Sequence, residues 1–220
     1  MTRLVHPEAR RLWQDLLSVH ISRAEMSLVI DLGCGAIPEQ TAALEALARI
    51  GGSDAAHAVR RIIVDRVVQG PGLNSALEAA AQLGVGLPGS VVVSLLRHEA
   101  PEIRAGGCRC TRLSPATIPV LTELLGDPDR VVAGEAACAL GRMGRSESRP
   151  ALLRLLQDAP SAAVIDAITA VADEECLVIL GRIARTRPEL ADAALAALDG
   201  IGSSRAVKIA AASRQSRQIT

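Results

Sequence analysis

The sequence has no phenylalanine and no tyrosine, and its one tryptophan is Trp13. A core without aromatic rings has to be built from Leu, Ile, Val and Ala, so stability must come from many small contacts. Lys208 is the one lysine, and the 24 basic residues are balanced by 24 acidic residues. A formal net charge of zero produces no general field that would attract nucleic acid or an anionic membrane. We therefore expect neither as a partner.

Long apolar runs are also missing. No run approaches the ~18 residues needed to span a bilayer, and the first 17 residues carry charged side chains where a signal peptide would have its apolar core. The five cysteines are an odd number and too sparse for a disulfide framework. These absences predict a cytoplasmic protein in a reducing compartment, with no membrane contact.

What the sequence does contain is an internal repeat. The segment Ala43–Gly51 recurs as Ala76–Gly84, an offset of 33 residues, and its ending recurs around 112–114, 142–144, 171–173 and 200–202. Half a period away lies a series of prolines, at positions 38, 71, 101, 128, 160 and 188. Proline suits the first turn of a helix, and glycine suits the left-handed residue just after its end. Each period therefore predicts a second helix between a proline and a glycine.

A first helix is predicted in each period from apolar doublets or triplets, of which Ile62–Val64, Leu95–Leu96 and Leu155–Leu156 are examples. Two helices in 29–33 residues, repeated about six times, indicate an all-α solenoid. We predict one solenoid over residues 1–212, with an N-terminal cap helix (1–21), repeats (22–202), and a C-terminal cap helix (203–212). A polar tail would follow at 213–220.

The segment Leu124–Gly144 resembles a HEAT repeat of the short bacterial kind, similar to phycobilin-lyase-type HEAT proteins, and Ala100–Ala105 resembles the same inter-helix turn. The resemblance covers about residues 22–212 and implies stacked helix pairs that bind another macromolecule. Arg104 keeps the family's Val-Arg pair as Ile103-Arg104, whereas Val132 stands where the family carries arginine. The Trp/Tyr and Thr-Pro-Leu-His signatures of tetratricopeptide and ankyrin repeats are absent.

Three other patterns could carry chemistry. Val29–Gly35 resembles the first motif of S-adenosylmethionine-dependent methyltransferases, but the segment after it is helical in pattern and shows no βαβ alternation. Cys108-Arg-Cys110 lacks a second pair at zinc-site spacing, and Cys108 and Cys138 occupy equivalent places in neighbouring repeats. The four histidines are scattered, and His98-Glu99, in a predicted turn, is the one pair worth testing. We predict no catalytic residue, no metal site and no cofactor.

An enzyme on a HEAT scaffold stays open as the alternative. It could resemble the HEAT-like DNA glycosylases, which use a basic concave face and aromatic residues, or a chromophore lyase, with a methyltransferase ranked behind both. This sequence offers neither a basic excess nor aromatic residues beyond Trp13.

The favoured function is a protein-interaction scaffold or adaptor, in one version an inhibitor or immunity-type protein. Aligning the repeats on their endings predicts a column of polar side chains along the second helices. This predicted column comprises Glu45, Arg49, Glu78, Gln82, Arg112 and Arg142. We expect it on the concave face, where second helices lie in HEAT folds, in contact with one protein partner whose identity and stoichiometry the sequence leaves open.

Overall fold

In the computed structural model, residues 37–112 and 114–218 are described, together with the side chains of all of these except 39, 217 and 218. The predicted N-terminal cap helix, Trp13, Cys34 and the methyltransferase-like segment Val29–Gly35 lie outside the described residues. The chain divides into two compact units, Met1–Thr117 and Ile118–Thr220.

Every regular element in the described residues is helical, which confirms the all-α prediction. The first unit contains five described helices, which are α1 (Ile37–Ile50), α2 (Gly52–Val64), α3 (Gly70–Gln82), α4 (Gly89–Leu96) and α5 (Pro101–Arg109). The second unit contains seven, which are α6 (Ile118–Leu124), α7 (Arg130–Arg142), α8 (Arg149–Asp158), α9 (Ala162–Thr169), α10 (Glu174–Thr186), α11 (Pro188–Ile201) and α12 (Ser204–Gln218). A short 3-10 turn, Ser146–Ser148, precedes α8.

Helix pairs follow one another as the repeat predicts. The second helices of successive repeats pack side by side, as α1, α3 and α5 in the first unit and α7, α9 and α11 in the second. The first helices flank them, so that α2 packs on α1 and α3, α4 packs on α5, and α8 packs on α7 and α9. Within each unit, successive helix pairs thus stack on one another in the manner of an α-solenoid.

The cores of the two units consist of small and branched aliphatic side chains, as the lack of aromatic residues requires. Leu44, Leu77 and Ile62 are fully buried in the first unit, and Leu152 and Ile165 in the second. No buried side-chain nitrogen or oxygen in the described residues lacks a hydrogen-bond partner. The buried polar side chains of this part of the chain therefore leave no hydrogen-bonding group unsatisfied.

Glycine at helix contacts sets the spacing between repeats. A Cβ on Gly141 of α7 would lie 2.5 Å from the carbonyl oxygen of Ala167 on α9, and one on Gly106 of α5 would lie 2.8 Å from Cδ1 of Leu77 on α3. Because real Cβ atoms do not approach other atoms this closely, these helices pack at a separation that only glycine allows.

The proline and glycine signals are mostly confirmed, with one correction. Pro71, Pro101 and Pro188 lie in the first turns of α3, α5 and α11, and four glycines that follow second helices have positive φ, namely Gly51, Gly84, Gly144 and Gly202. Pro128 and Pro160, however, precede the helix caps Asp129 and Ser161, whose side chains accept backbone N–H bonds from α7 and α9. At these two helices the N-terminus is stabilised by a side-chain cap, and the proline lies one residue before the cap, outside the helix.

The C-terminal end differs from the prediction. The expected last helix stops at residue 212, but α12 continues to Gln218 and buries Ser213. The Ser213 hydroxyl accepts a hydrogen bond from Nη1 of Arg185 at 3.2 Å and donates to the carbonyl of Gly181 at 3.4 Å. The polar tail predicted at 213–220 is thus helical through 218, because its first serine is bonded to α10.

Candidate functional site

Four members of the predicted column lie on two adjacent second helices of the first unit. Glu45 and Arg49 are on α1, Glu78 and Gln82 are on α3, and all four side chains are exposed. The hydroxyls of Thr41 and Ser75 lie 3.2 Å apart and tie these two helices together about one turn earlier. This bond fixes the register in which the four side chains are presented.

Glu45 and Arg49 stand one helical turn apart on α1, a spacing that permits an ion pair, but none forms between them in the described part of the chain. Glu78 instead accepts a hydrogen bond from Nδ2 of Asn74 on its own helix, at 3.2 Å. The four-residue surface of Glu45, Arg49, Glu78 and Gln82 therefore contributes little to the internal bonding of the fold. We call it the α1–α3 surface.

Arg112, another member of the predicted column, also bonds within the fold. Its Nη2 donates to the carbonyl oxygen of Gly84, and its side chain lies against Gly86, where a Cβ would be 3.4 Å from Nε. Arg112 thus binds the backbone that follows α3, where a helix end leaves carbonyl groups unsatisfied. It stabilises the junction between two repeats, and because its side chain is also exposed, its place in the predicted column stays a prediction.

Arg142 is exposed in the last turn of α7. It lies in the second unit. Its membership of the predicted column rests on the alignment of the repeat sequences alone.

The four described cysteines are buried. Cys108 and Cys138 occupy the column positions of Glu45 and Glu78 but are 0% and 5% exposed. Burial raises the pKa of Cys110 to about 12 and the pKa of Cys138 to about 11, and the Cys110 thiol donates to the carbonyl of Leu77 at 3.3 Å. Thiols with such raised pKa values stay protonated at neutral pH, so they make poor nucleophiles and metal ligands. They fill space between helices.

The turn that holds His98 and Glu99 is fastened by Arg104, whose Nη1 donates to the carbonyl oxygens of His98 at 2.9 Å and Glu99 at 2.7 Å. The backbone N–H of Ala100 donates to Nδ1 of His98 at 3.1 Å. Because Nδ1 acts as an acceptor, Nε2 is the nitrogen left to donate. His57 is exposed on α2, whereas His6 and His20 lie outside the described residues.

His98 and Glu99 also line a half-enclosed cleft of about 620 Å³ in the first unit, within the range of about 300–1,000 Å³ typical of ligand pockets. Its apolar lining comes from the end of α2 and from α3 and α4, and includes Ile63, Val64, Leu73, Val91 and Leu95. Its polar lining comprises Arg66, Gln69, Ser90 and Ser94, in addition to His98 and Glu99.

A comparison with protein families accounts for this geometry. A family model described as HEAT repeats matches residues 89–173, from the start of α4 to the cap of α10. The matched part of this chain is a HEAT-like repeat region. A search of curated proteins returned no match.

The Arg104 bonds show how one HEAT-like turn is held in this chain, and Val132 shows how another manages without arginine. Val132 is fully buried in the core. The turn before α7 uses aspartates instead, since Asp127 Oδ1 accepts from the N–H of Asp129 at 2.9 Å. Asp129 Oδ1 in turn accepts from the N–H of Val131 at 2.8 Å and of Val132 at 3.2 Å. The Val132 side chain can therefore serve the core.

The cleft is the feature that sequence reasoning missed, although it selected the pair His98-Glu99. The serines at 90 and 94, spaced i,i+4 on the otherwise apolar helix α4, were a usable signal, because such a pair marks a face that stays in contact with water. Nothing in the sequence around Arg66 indicated that this residue would line a cleft.

The described residues contain no group of three or more His, Cys, Asp or Glu side chains placed to hold a metal ion. Within the same part of the chain, none of the helices combines the length and the apolar character that a bilayer span requires.

Proposed function

We propose that this protein is a binding module, not an enzyme, and that its α1–α3 surface contacts a protein partner. HEAT repeats commonly mediate protein interactions, and the repeat match covers the central part of this chain. The observation that supports the assignment is that α1 and α3 use one face for packing and leave another face exposed. The buried faces and the Thr41–Ser75 bond hold the two helices in register, while the side chains of Glu45, Arg49 and Gln82 are exposed and make no bond within the described residues.

The chemistry of the surface fits a protein partner of mixed charge. Two carboxylates, one guanidinium and one amide present both signs within two helix widths, so the partner should offer both signs in return. Rigid helices lose little conformational entropy on binding, which favours such a surface over a flexible loop. Arg142 is a second, separate contact point of the same kind. An inhibitor or immunity-type protein in the cytoplasm is one concrete form of this function.

A photo-crosslinking experiment tests the proposal. Benzoylphenylalanine is placed at Gln82 in the full-length chain expressed in its native host, and at Arg60, exposed on α2, as the matched control. We expect one protein to be crosslinked from position 82 in stoichiometric amount and not from position 60. Equal products from both positions, or none from position 82, would reject the α1–α3 surface.

Charge reversal gives an independent measurement on the partner so found. The variant Arg49→Glu should raise the Kd about tenfold, a loss of about 1.4 kcal/mol, while Arg60→Glu should leave it unchanged. Both side chains are exposed, so circular dichroism should show the same helical content in each variant. An unchanged Kd for Arg49→Glu would contradict the assignment.

A further inference from the structure

The 620 Å³ cleft of the first unit opens between α2 and α4, two first helices that share little direct packing. The end of α2 and the start of α3 form one wall, and α4 with the turn that follows it forms the other. The four residues of the α1–α3 surface are not part of its lining. The cleft is therefore a candidate binding site separate from that surface.

Each wall of the cleft carries one charge, and the two charges have opposite signs. Arg66 follows α2 and Glu99 follows α4, and both side chains are exposed and line the cleft. Among the described residues, neither the guanidinium group nor the carboxylate has a hydrogen bond or an ion pair, so the two do not meet across the cleft. The carboxylate next to Arg66 in the chain, Asp65, is paired with Nε of Arg61 at 2.8 Å. An occupant that bears both charges would complement both walls.

The cation is held in an unusual backbone conformation. Arg66 has φ at +54°, and it is the one non-glycine residue with positive φ in the described chain. L-residues other than Asn and Asp seldom adopt this region, because Cβ then crowds the neighbouring carbonyl oxygen. Glycine serves at the comparable ends of α1, α3, α7 and α11. An arginine kept where glycine would fit without strain points to a use for its side chain.

The anion stands on a turn whose backbone is fixed. Nη1 of Arg104 donates to the carbonyl oxygens of His98 at 2.9 Å and Glu99 at 2.7 Å. The N–H of Ala100 donates to Nδ1 of His98, which leaves Nε2 of that ring as a donor. These bonds engage the Glu99 backbone and not its side chain. The turn therefore presents the carboxylate to the cleft from a rigid base.

The rest of the lining combines apolar side chains with groups that both donate and accept. Val64, Leu73 and Val91 are half-buried, and Gln69 and Ser94 are exposed. Hydroxyls on other described helices often bond to the carbonyl four residues back, whereas the Ser94 hydroxyl makes no bond in the part of the chain that the structure describes. A hydroxyl and a carboxamide suit a peptide bond, which offers one donor and one acceptor.

We propose that this cleft binds a free aliphatic peptide of about two or three residues, since its volume falls in the range that accommodates ligands larger than a single amino acid. The terminal carboxylate pairs with Arg66 and the terminal ammonium group pairs with Glu99. The aliphatic side chains pack on the half-buried valines and leucine, and the peptide groups bond to Gln69 and Ser94. This inference concerns a different surface from the proposed function and does not rest on it.

An NMR titration of the full-length chain with leucylleucine tests the proposal. We expect saturable shifts of backbone amide signals from the cleft residues. N-acetyl-leucylleucine lacks the ammonium group and leucylleucine amide lacks the carboxylate, and each should bind about tenfold more weakly than leucylleucine. The absence of saturable shifts with leucylleucine, or equal affinity for either analogue, overturns the proposal.

Two variants assign the charges of the peptide to the two walls. Arg66→Gly removes the cation while suiting the backbone, so it should weaken binding of leucylleucine about tenfold and leave binding of the amide unchanged. Glu99→Gln should weaken binding of leucylleucine and leave binding of the acetylated peptide unchanged. The matched controls Arg97→Gly and Glu102→Gln alter exposed residues outside the lining and should change neither affinity. Equal affinity for leucylleucine in all four variants would place the peptide elsewhere and overturn the proposal.

An internal segment of a partner protein is the rival occupant. N-acetyl-leucylleucine amide imitates such a segment, because it keeps the side chains and peptide groups and has neither terminal charge. If it binds as tightly as leucylleucine, the cleft accepts internal segments and the proposal fails; if it binds more weakly than either singly blocked peptide, the free peptide is confirmed as the ligand. Crosslinking from Gln82 tests the proposed function separately, whatever the outcome at the cleft.

Discussion

The turn between the two helices of a repeat is held differently in the second repeat, between α2 and α3, and in the fourth repeat, between α6 and α7. In the fourth, Asp127 and Asp129 accept the N–H groups of the turn and of the first residues of α7. In the second, no side chain caps α3, and Arg66 holds a strained conformation with its side chain unbonded among the described residues. The comparison teaches that the same turn can be held by side-chain acceptors bonded to the backbone, or can keep an unbonded arginine in a strained conformation.

The largest effect is expected in the third repeat, where Arg104 fastens the turn at the cleft. Arg104→Ala removes two hydrogen bonds from a charged donor to carbonyl groups and should lower the free energy of unfolding by about 2 kcal/mol. Urea denaturation measures it. Arg104→Lys keeps the charge but not the fork of donors, so it should lie between wild type and alanine. If Arg104→Ala lowers the free energy of unfolding by less than about 0.5 kcal/mol, the level of an ordinary surface substitution, the turn does not depend on Arg104.

The next effect concerns the cap of the fourth repeat. Asp129→Ala leaves two N–H groups at the start of α7 without their acceptor and should destabilise the protein by about 1 kcal/mol. Asp129→Asn is the matched control, since its amide oxygen can still accept. If alanine and asparagine behave alike in thermal or urea unfolding, Asp129 does not act as a cap.

In the second repeat we expect a substitution that raises the free energy of unfolding instead of lowering it. Arg66→Gly relieves the positive φ and should stabilise the protein by somewhat under about 1 kcal/mol, despite removing a whole side chain. The control is Arg97→Gly, at the C-cap of α4, where φ is −102° and glycine relieves nothing. A destabilising Arg66→Gly would show that this arginine supports the fold, and the contrast between the two turns would disappear.

The smallest effect lies at the cap of α10. Asp173 caps this helix through the N–H of Cys176 at 3.1 Å, and hydrogen bonds from Cys176 lower the pKa of this carboxyl below its ordinary value of 3.8. A lowered folded-state pKa means that the carboxylate stabilises the fold above the unfolded pKa. That contribution is lost as pH falls through the folded pKa.

Asp173→Asn should therefore be less stable than wild type at neutral pH, and the gap should close as pH falls below roughly 4. Urea titrations at several pH values measure the gap. Because the side chain is largely exposed, the gap should be small, and a gap that does not change with pH would remove the charge from the explanation.

The helix order could be predicted from the sequence because its signals act locally. Pro71 and Pro101 start helices through their own backbone geometry, and Gly84 and Gly144 end them in the same way. No knowledge of distant contacts is needed to use them. The same local reasoning failed at Pro128, where a side-chain acceptor one residue later took over the start of the helix.

The candidate site could be predicted only in part. Exposure of Glu45, Arg49, Glu78 and Gln82 followed from helical periodicity, but the engagement of Arg112 did not, because its acceptor is the backbone of the preceding repeat. The cleft depends on how far α2 and α4 stand apart and on the φ of one arginine. Neither quantity is encoded in residue spacing, so neither could be predicted from it.

Gly141 has a mechanical consequence for the second unit. Its missing side chain lets α7 approach the backbone of α9, and each repeat touches only its neighbours. A single methyl group inserted there would push α7 away from α9 and tilt α9 against α11, which packs on it. Spin labels on α7 and α11 should register Gly141→Ala as a longer distance. The spacing between α7 and α9 thus depends on the absence of a Cβ atom at Gly141.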